Sequence, residues 1–120
     1  MYHGPTIRVN DNRVGYDQKM AFVKIASLSQ VAPGAVIEAS IGDELYAICN
    51  VDGSIHALAG VCPHRGGPLG QGAVNGANLT CPWHAWEFDC RTGTHDYNPD
   101  VRVATFPVRI AGDEILIDIP

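Results

Sequence analysis

Cys62-Pro63-His64-Arg65-Gly66-Gly67-Pro68-Leu69, followed after a glycine-rich span by Cys81-Pro82-Trp83-His84, is the stretch on which the reading of this chain turns. As a pattern it is C-x-H, sixteen residues, then C-x-x-H. Thiolate and imidazole together select zinc or iron–sulfur centres. A zinc finger groups its cysteines together and its histidines together, with roughly two to four residues between the cysteines. Here each element holds one Cys and one His, the first pair separated by a single residue. That is awkward for one tetrahedral ion and natural for two irons, one taking both cysteines and the other both histidines, each loop feeding both metals. Zinc is the rival to be weighed.

Around these elements the chain is written in short apolar runs separated by turn signals, the mark of strands in a sandwich or barrel. Strands are expected at 21–26, 35–41, 44–51, 54–58, 78–81, 85–90, 104–110 and 114–119. Turns fall at Ile41-Gly42-Asp43, Val51-Asp52-Gly53-Ser54 and Ala111-Gly112-Asp113; Asp-Gly is favoured where both central residues of a hairpin turn need positive φ. Alternation puts Ile115, Ile117 and Ile119 on one face, and sets Trp86, Phe88 and Cys90 against Ala85, Glu87 and Asp89. No helix with caps and length is expected, and Ser27 to Pro33 has room for a single turn. Residues 1–20 are polar without a sustained period, and read as a flexible or loosely docked extension.

The segments CPHRGGPL and CPWHAWEFDCRTG resemble the Rieske family, in which two histidines replace two cysteines on one iron of a [2Fe–2S] centre. They are most similar to its small soluble members: the ferredoxin components of bacterial aromatic-ring oxygenases and the small subunit of assimilatory nitrite reductase. The resemblance covers roughly residues 21–120, through Phe106-Pro107-Val108-Arg109-Ile110 and Gly112-Asp113-Glu114-Ile115. It implies an all-β fold, a Rieske-type antiparallel β-sandwich with a small cluster-binding subdomain, at about residues 60–95, formed by two Cys/His loops that meet at one tip. It also implies one [2Fe–2S] cluster per chain, with Cys62 and Cys81 on the inner iron and His64 and His84 on the outer, near the surface. Respiratory-complex members carry an extra disulfide from cysteines at the positions of Gly67 and Trp83, and a membrane anchor; the chain lacks both cysteines and resembles the low-potential ferredoxin-like group. His84-Ala85-Trp86-Glu87-Phe88 and Asn98-Pro99-Asp100 resemble ferredoxins of toluene-type diiron monooxygenases as much as those of dioxygenases, although Ala85 stands where many relatives have Gly.

The function so implied is that of a single-electron carrier rather than an enzyme, linking an NAD(P)H-dependent flavin reductase to a terminal oxygenase. The alternative is the small subunit of an assimilatory NADH nitrite reductase, partnered by the large subunit; a third reading is a redox sensor. Charge supplies a physical reason for such a couple. An oxidised two-iron, two-sulfide core is formally +2, so two thiolates and two neutral imidazoles leave a neutral site, which accepts an electron more readily than a four-thiolate site. Rieske centres accordingly lie at roughly −150 to +300 mV, against about −400 mV for plant-type ferredoxins. Solvent-facing imidazoles on the outer iron would make the potential pH-dependent above neutrality.

Composition agrees. The 120 residues bound one domain, and 46% hydrophobic with 18% charged residues suits a compact chain. With 8 Lys+Arg against 13 Asp+Glu, a formal charge of −5 and no basic cluster, nucleic acid and anionic lipid are not expected partners. No apolar run reaches the ~18 residues of a membrane span, and a cytoplasmic location is the expectation. No nucleophile elbow, phosphate loop or second metal pattern is present. Cys49 and Cys90 read as small buried hydrophobes, and His3, His56 and His95 as surface or hydrogen-bonded residues. Trp83, between two candidate ligands, reads as an exposed residue that shields the cluster or touches a partner; Arg65 and Arg91 lie beside the ligand segments, where they can steer partners.

Overall fold

The computed structural model describes residues 6–9, 22–63, 66–83 and 85–119. Among the described residues eleven strands follow in order: β1 (Thr6–Val9), β2 (Phe22–Ser27), β3 (Val36–Ile41), β4 (Glu44–Val51), β5 (Ser54–Ala59), β6 (Ala73–Asn75), β7 (Asn78–Thr80), β8 (Glu87–Asp89), β9 (Thr105–Phe106), β10 (Val108–Ala111) and β11 (Glu114–Asp118). They form a five-stranded sheet, β1-β3-β4-β5-β9, and two three-stranded sheets, β10-β11-β2 and β6-β7-β8. The architecture is all-β, as expected. Helical structure among the described residues is limited to single 3₁₀ turns at Leu28–Gln30 and Leu69–Gln71.

The tight turns are where their residues put them. Asp52 (φ 52) and Gly53 (φ 93) both take the left-handed conformation that lets two residues join β4 to β5, and the Asn50 side chain accepts the Gly53 N–H at 2.7 Å. Pro107, with no N–H to donate, interrupts the run expected as one strand at 104–110. Phe106 pairs with Ala57 in the large sheet, whereas Val108 pairs with Ile117 in the other. The chain thereby crosses from one layer to the next at a proline.

One departure from the antiparallel expectation is β1, which runs parallel to β3 with Thr6 opposite Glu38 and Val9 opposite Ile41. It lies within the segment read as a flexible or loosely docked extension; residues 1–5 and 10–21 are outside the described residues.

The large sheet is a wall between two cores. On one side Ile25, Ile37, Ile41, Tyr46, Ile48, Ile115 and Ile117 pack it against β10-β11-β2. On the other, Ala47, Cys49, Leu58, Leu69, Leu79, Phe88 and Cys90 pack it against β6-β7-β8. Alternation along β4 sends Tyr46 and Ile48 one way, Ala47 and Cys49 the other, so the strand is buried on both faces. Antiparallel pairing places Ala59 opposite Tyr46, so β5 ends beside the start of β4. There the Gly60 N–H donates to the Leu45 carbonyl, and the first Cys/His loop departs.

Candidate metal centre

Both Cys/His elements are closed by the same backbone device. The Cys62 N–H donates to the Gly67 carbonyl at 2.8 Å, and the Cys81 N–H to the Trp86 carbonyl at 2.7 Å, each spanning five residues. Within the first loop the Gly66 N–H returns to the Cys62 carbonyl at 2.8 Å, and a bridge between Val61 and Pro68 pins its base. The second loop leaves β7 and rejoins at β8. Trp86 lies just before β8 rather than within it, and while its carbonyl closes the loop its side chain packs, as alternation suggested, against the core that contains Phe88 and Cys90.

Cys62 and Cys81 are each 1% exposed and interact side chain to side chain at the bases of the two loops. Burial pushes the Cys81 thiol up; the Trp83 N–H, donating to its sulfur at 3.4 Å, works the other way, and the neighbouring Cys62 adds to the rise. Two sulfurs buried together in an apolar core gain by ligating a cation, since coordination replaces the buried proton and offsets the thiolate charge.

Space at the sulfur points the same way. A Cβ on Gly67 would lie 2.8 Å from Cys81 Sγ and 3.1 Å from Trp83 Cγ, so the first loop lies against the second loop's sulfur as only glycine allows. Trp83, 48% exposed, covers this junction, in keeping with a shielding or partner-facing residue. His64, His84 and Arg65 lie outside the described residues. The described part of the donor set is thus two soft sulfurs in a glycine-lined cradle, which fits an iron–sulfur cluster better than a hard-cation site.

Three neighbours complete the surroundings. Ala85 holds φ 56, the conformation glycine would adopt without strain. His95 is buried, with Nδ1 accepting the N–H groups of Tyr97 (3.2 Å) and Asn98 (3.1 Å) and its ring edge-on to Trp86 at 4.5 Å. The hydrogen-bonded role read for this histidine is met, but its support of the residue closing the second loop had no signal in the sequence. Arg91 sits 3.5 Å from Asp89, whose carboxylate also accepts the Arg91 N–H at 2.7 Å.

The chain is 34% identical over 101 residues to the ferredoxin component of biphenyl 2,3-dioxygenase from Rhodococcus jostii (strain RHA1), covering 83% of this chain and 94% of that one. Its fold matches the Sphingomonas yanoikuyae B1 ferredoxin with a TM-score of 0.76 at 27% identity, over 82% and 99% of the two chains. A protein described as an NADH-dependent nitrite reductase small subunit from Mycobacterium tuberculosis shares the fold, with a TM-score of 0.74 at 22% identity over 82% and 94% of the two chains. The model of the Rieske [2Fe–2S] domain matches residues 21–107, a stretch that takes in both closed loops and all of β2 through β9, and the chain belongs to that family.

Proposed function

We propose that this chain is a Rieske ferredoxin, a cytoplasmic single-electron carrier with no substrate chemistry of its own, which takes electrons from an NAD(P)H-dependent flavin reductase and passes them to a terminal oxygenase. The observation that carries the reading is the meeting of Cys62 and Cys81, side by side and buried, at the bases of two identically closed loops. When bound, a [2Fe–2S] cluster supplies a one-electron couple. In this reading Cys62 and Cys81 hold one iron and His64 and His84 the other.

The rest is done by the chain. The closed loops fix both thiols on a rigid sheet, the Trp83 N–H stabilises sulfur charge, and the apolar wall of Leu69, Leu79 and Phe88 excludes water from beneath them. We place the domain at 21–120 rather than ending it at 107, because β10 and β11 complete the sheet that contains β2. Among the described residues no helix is long and apolar enough to cross a membrane.

An EPR spectrum of the dithionite-reduced protein, with an average g value below that of four-cysteine clusters, tests the centre; a colourless, EPR-silent zinc protein would sink it. Reductase-to-oxygenase turnover that depends on added protein tests the role. Co-purification in fixed ratio with a large flavin or siroheme subunit would instead favour the nitrite reductase reading, which the shared fold alone supports.

A further inference from the structure

Two cysteines remain outside the ligand pattern, and the fold brings them together from 41 positions apart in the sequence, 90 less 49. Cys49 points from β4 into the core beneath the cluster subdomain; Cys90 is the residue immediately after β8, held there by its N–H donating to the Ala77 carbonyl at 2.9 Å. Both are free thiols and both are buried. The Cys49 and Cys90 side chains are hydrogen-bonded to each other.

The pair is buried, with Cys49 0% and Cys90 1% exposed, yet Cys90 borders a pocket. Cys90 lines a cavity of about 520 Å³ together with His56, Arg91, Thr105 and Phe106, large enough for small solutes. His56 stands opposite Cys49 in the β4–β5 register. A buried structural thiol is ordinarily inert; Cys90 differs in having a second thiol beside it and a pocket at its border.

We propose that Cys49 and Cys90 form a second redox site, a dithiol that a small hydroperoxide entering through this cavity converts to a disulfide. The Cys90 sulfur attacks a peroxide oxygen; an S–O bond forms, the O–O bond breaks, and the departing hydroxide leaves as water with the thiol proton. The Cys49 sulfur then attacks the sulfenic sulfur; an S–S bond forms, the S–O bond breaks, and the Cys49 proton leaves with the hydroxide as a second water. Two thiols are oxidised by two electrons and one hydrogen peroxide is reduced to two waters. The order follows from the surroundings. Cys90 borders the cavity and Cys49 is not among its lining residues; the hydrogen bond from Cys49 holds the Cys90 thiol below its ordinary value, whereas that same bond, with burial, pushes Cys49 up.

A bond between residues 49 and 90 closes a loop that contains Cys62, His64, Cys81 and His84. It ties β4 in the large sheet to the end of β8, so the oxidised form staples the subdomain to its wall. This consequence rests on the ligand reading above; the dithiol chemistry does not.

The test treats the holoprotein, cluster oxidised, with stepwise hydrogen peroxide, then alkylates free thiols and maps peptides under non-reducing conditions. The expected result is a Cys49–Cys90 linked pair, two hydrogens lighter than the dithiol and restored by dithiothreitol. Cys49→Ser should leave a Cys90 sulfenic acid that dimedone traps. Alkylatable Cys49 and Cys90 at peroxide levels that already bleach the visible cluster spectrum would overturn the proposal, as would either cysteine joined to Cys62 or Cys81. The wild-type map stands even if the variant fails to fold. Iron release to a chelator, several-fold slower from the oxidised dithiol than from the reduced one, tests the staple; equal rates would overturn it.

Discussion

Replacing Gly67 by Ala places one methyl group where the two loops touch. The added Cβ would lie 2.8 Å from Cys81 Sγ, 3.1 Å from Trp83 Cγ and 3.2 Å from Trp83 Cβ, whereas unstrained contacts between heavy atoms run at about 3.5–4.0 Å. Relief has three routes. Trp83 is half exposed and can swing outward, but that leaves the sulfur contact intact. Gly67 is held by the Cys62 N–H on its own carbonyl and by the Val61–Pro68 bridge beside it, and Cys81 by its N–H on the Trp86 carbonyl. The strain therefore falls on the distance between the loops, and overpacking of this kind costs about 1–3 kcal/mol. At a factor of ten per 1.4 kcal/mol, cluster affinity falls roughly 5- to 150-fold.

Gly70→Ala is the matched control. Its Cβ would meet Glu38 Cβ at 2.6 Å and Cα at 2.7 Å, straining the Leu69–Gln71 turn against β3 without touching sulfur. The assay follows decay of the visible absorbance of oxidised holoprotein in excess iron chelator, well below the melting temperature, with far-UV circular dichroism reporting the fold. Gly67→Ala should release iron faster by the factor above with its circular dichroism unchanged. Gly70→Ala should melt on the order of 5–10 °C lower and release iron at a rate much closer to that of the wild type. If Gly67→Ala releases iron at the wild-type rate, or if both variants speed release in proportion to their loss of melting temperature, the loop contact is not what protects the cluster.

Cys62→Ser and Cys81→Ser should each abolish the reduced-state EPR signal, and hydrogen exchange should then quicken in β6-β7-β8 while β3 and β4 stay protected; uniform loss of protection would contradict it. Burial pushes the Asp89 carboxyl up, but the Arg91 N–H, the Arg91 guanidinium and the Thr92 N–H outweigh it and hold it below 3.8. A folded value under the unfolded one means that the stabilisation is complete above 3.8 and fades as pH falls through the folded value. Asp89→Asn should accordingly cost about 1 kcal/mol at pH 7 and progressively less as pH falls below 3.8, and a loss independent of pH would refute the linkage. His95→Ala strips the acceptor from the N–H groups of Tyr97 and Asn98 and the ring edge from Trp86, so thermal melts should register a loss of about 2–4 kcal/mol; a loss below about 1 kcal/mol would mean that water replaces the ring without cost.

The sequence was most legible where residue chemistry is least interchangeable. Cys62 and Cys81, which the fold brings side by side, could be paired before any geometry, since few functions other than metal binding explain two Cys/His elements of unlike spacing; His64 and His84, the other expected ligands, lie outside the described residues. Alternation located β11, where Ile115, Ile117 and Ile119 are all buried on one face, whereas β4, buried on both faces, was legible as a continuous apolar run between two turns. β1 escaped although Thr6-Ile7-Arg8-Val9 does alternate, because four residues amid polar neighbours carry no statistical weight and the parallel partner lies about 30 positions away. The three-residue β6 was lost for the same reason. The break at Pro107 was readable in principle, since a proline inside an apolar run removes a ladder donor, yet the apolar residues on either side masked it. Contacts such as Gly67 against Cys81 depend on loop closure across fourteen positions, 81 less 67, and no local pattern encodes them.

The two cores explain how so short a chain can combine firmness with a metal centre. The first is built from β-branched residues, with seven isoleucines at positions 25, 37, 41, 48, 115, 117 and 119. Stiff side chains on facing pleated surfaces interlock in few ways, which specifies the sandwich without help. The second core contains no isoleucine and all four cysteines, with Ala47 contributing little more than a methyl group. The sheet that covers it, β6-β7-β8, has strands three residues long, too short to stand alone. What apolar burial does not supply there, backbone closure and sulfur chemistry must, so ligand binding is part of the folding energy of that layer. The neighbours Ile48 and Cys49 embody the division: one peptide bond apart on β4, one faces the isoleucine-rich core of the sandwich, and the other faces the core that contains the paired Cys62 and Cys81.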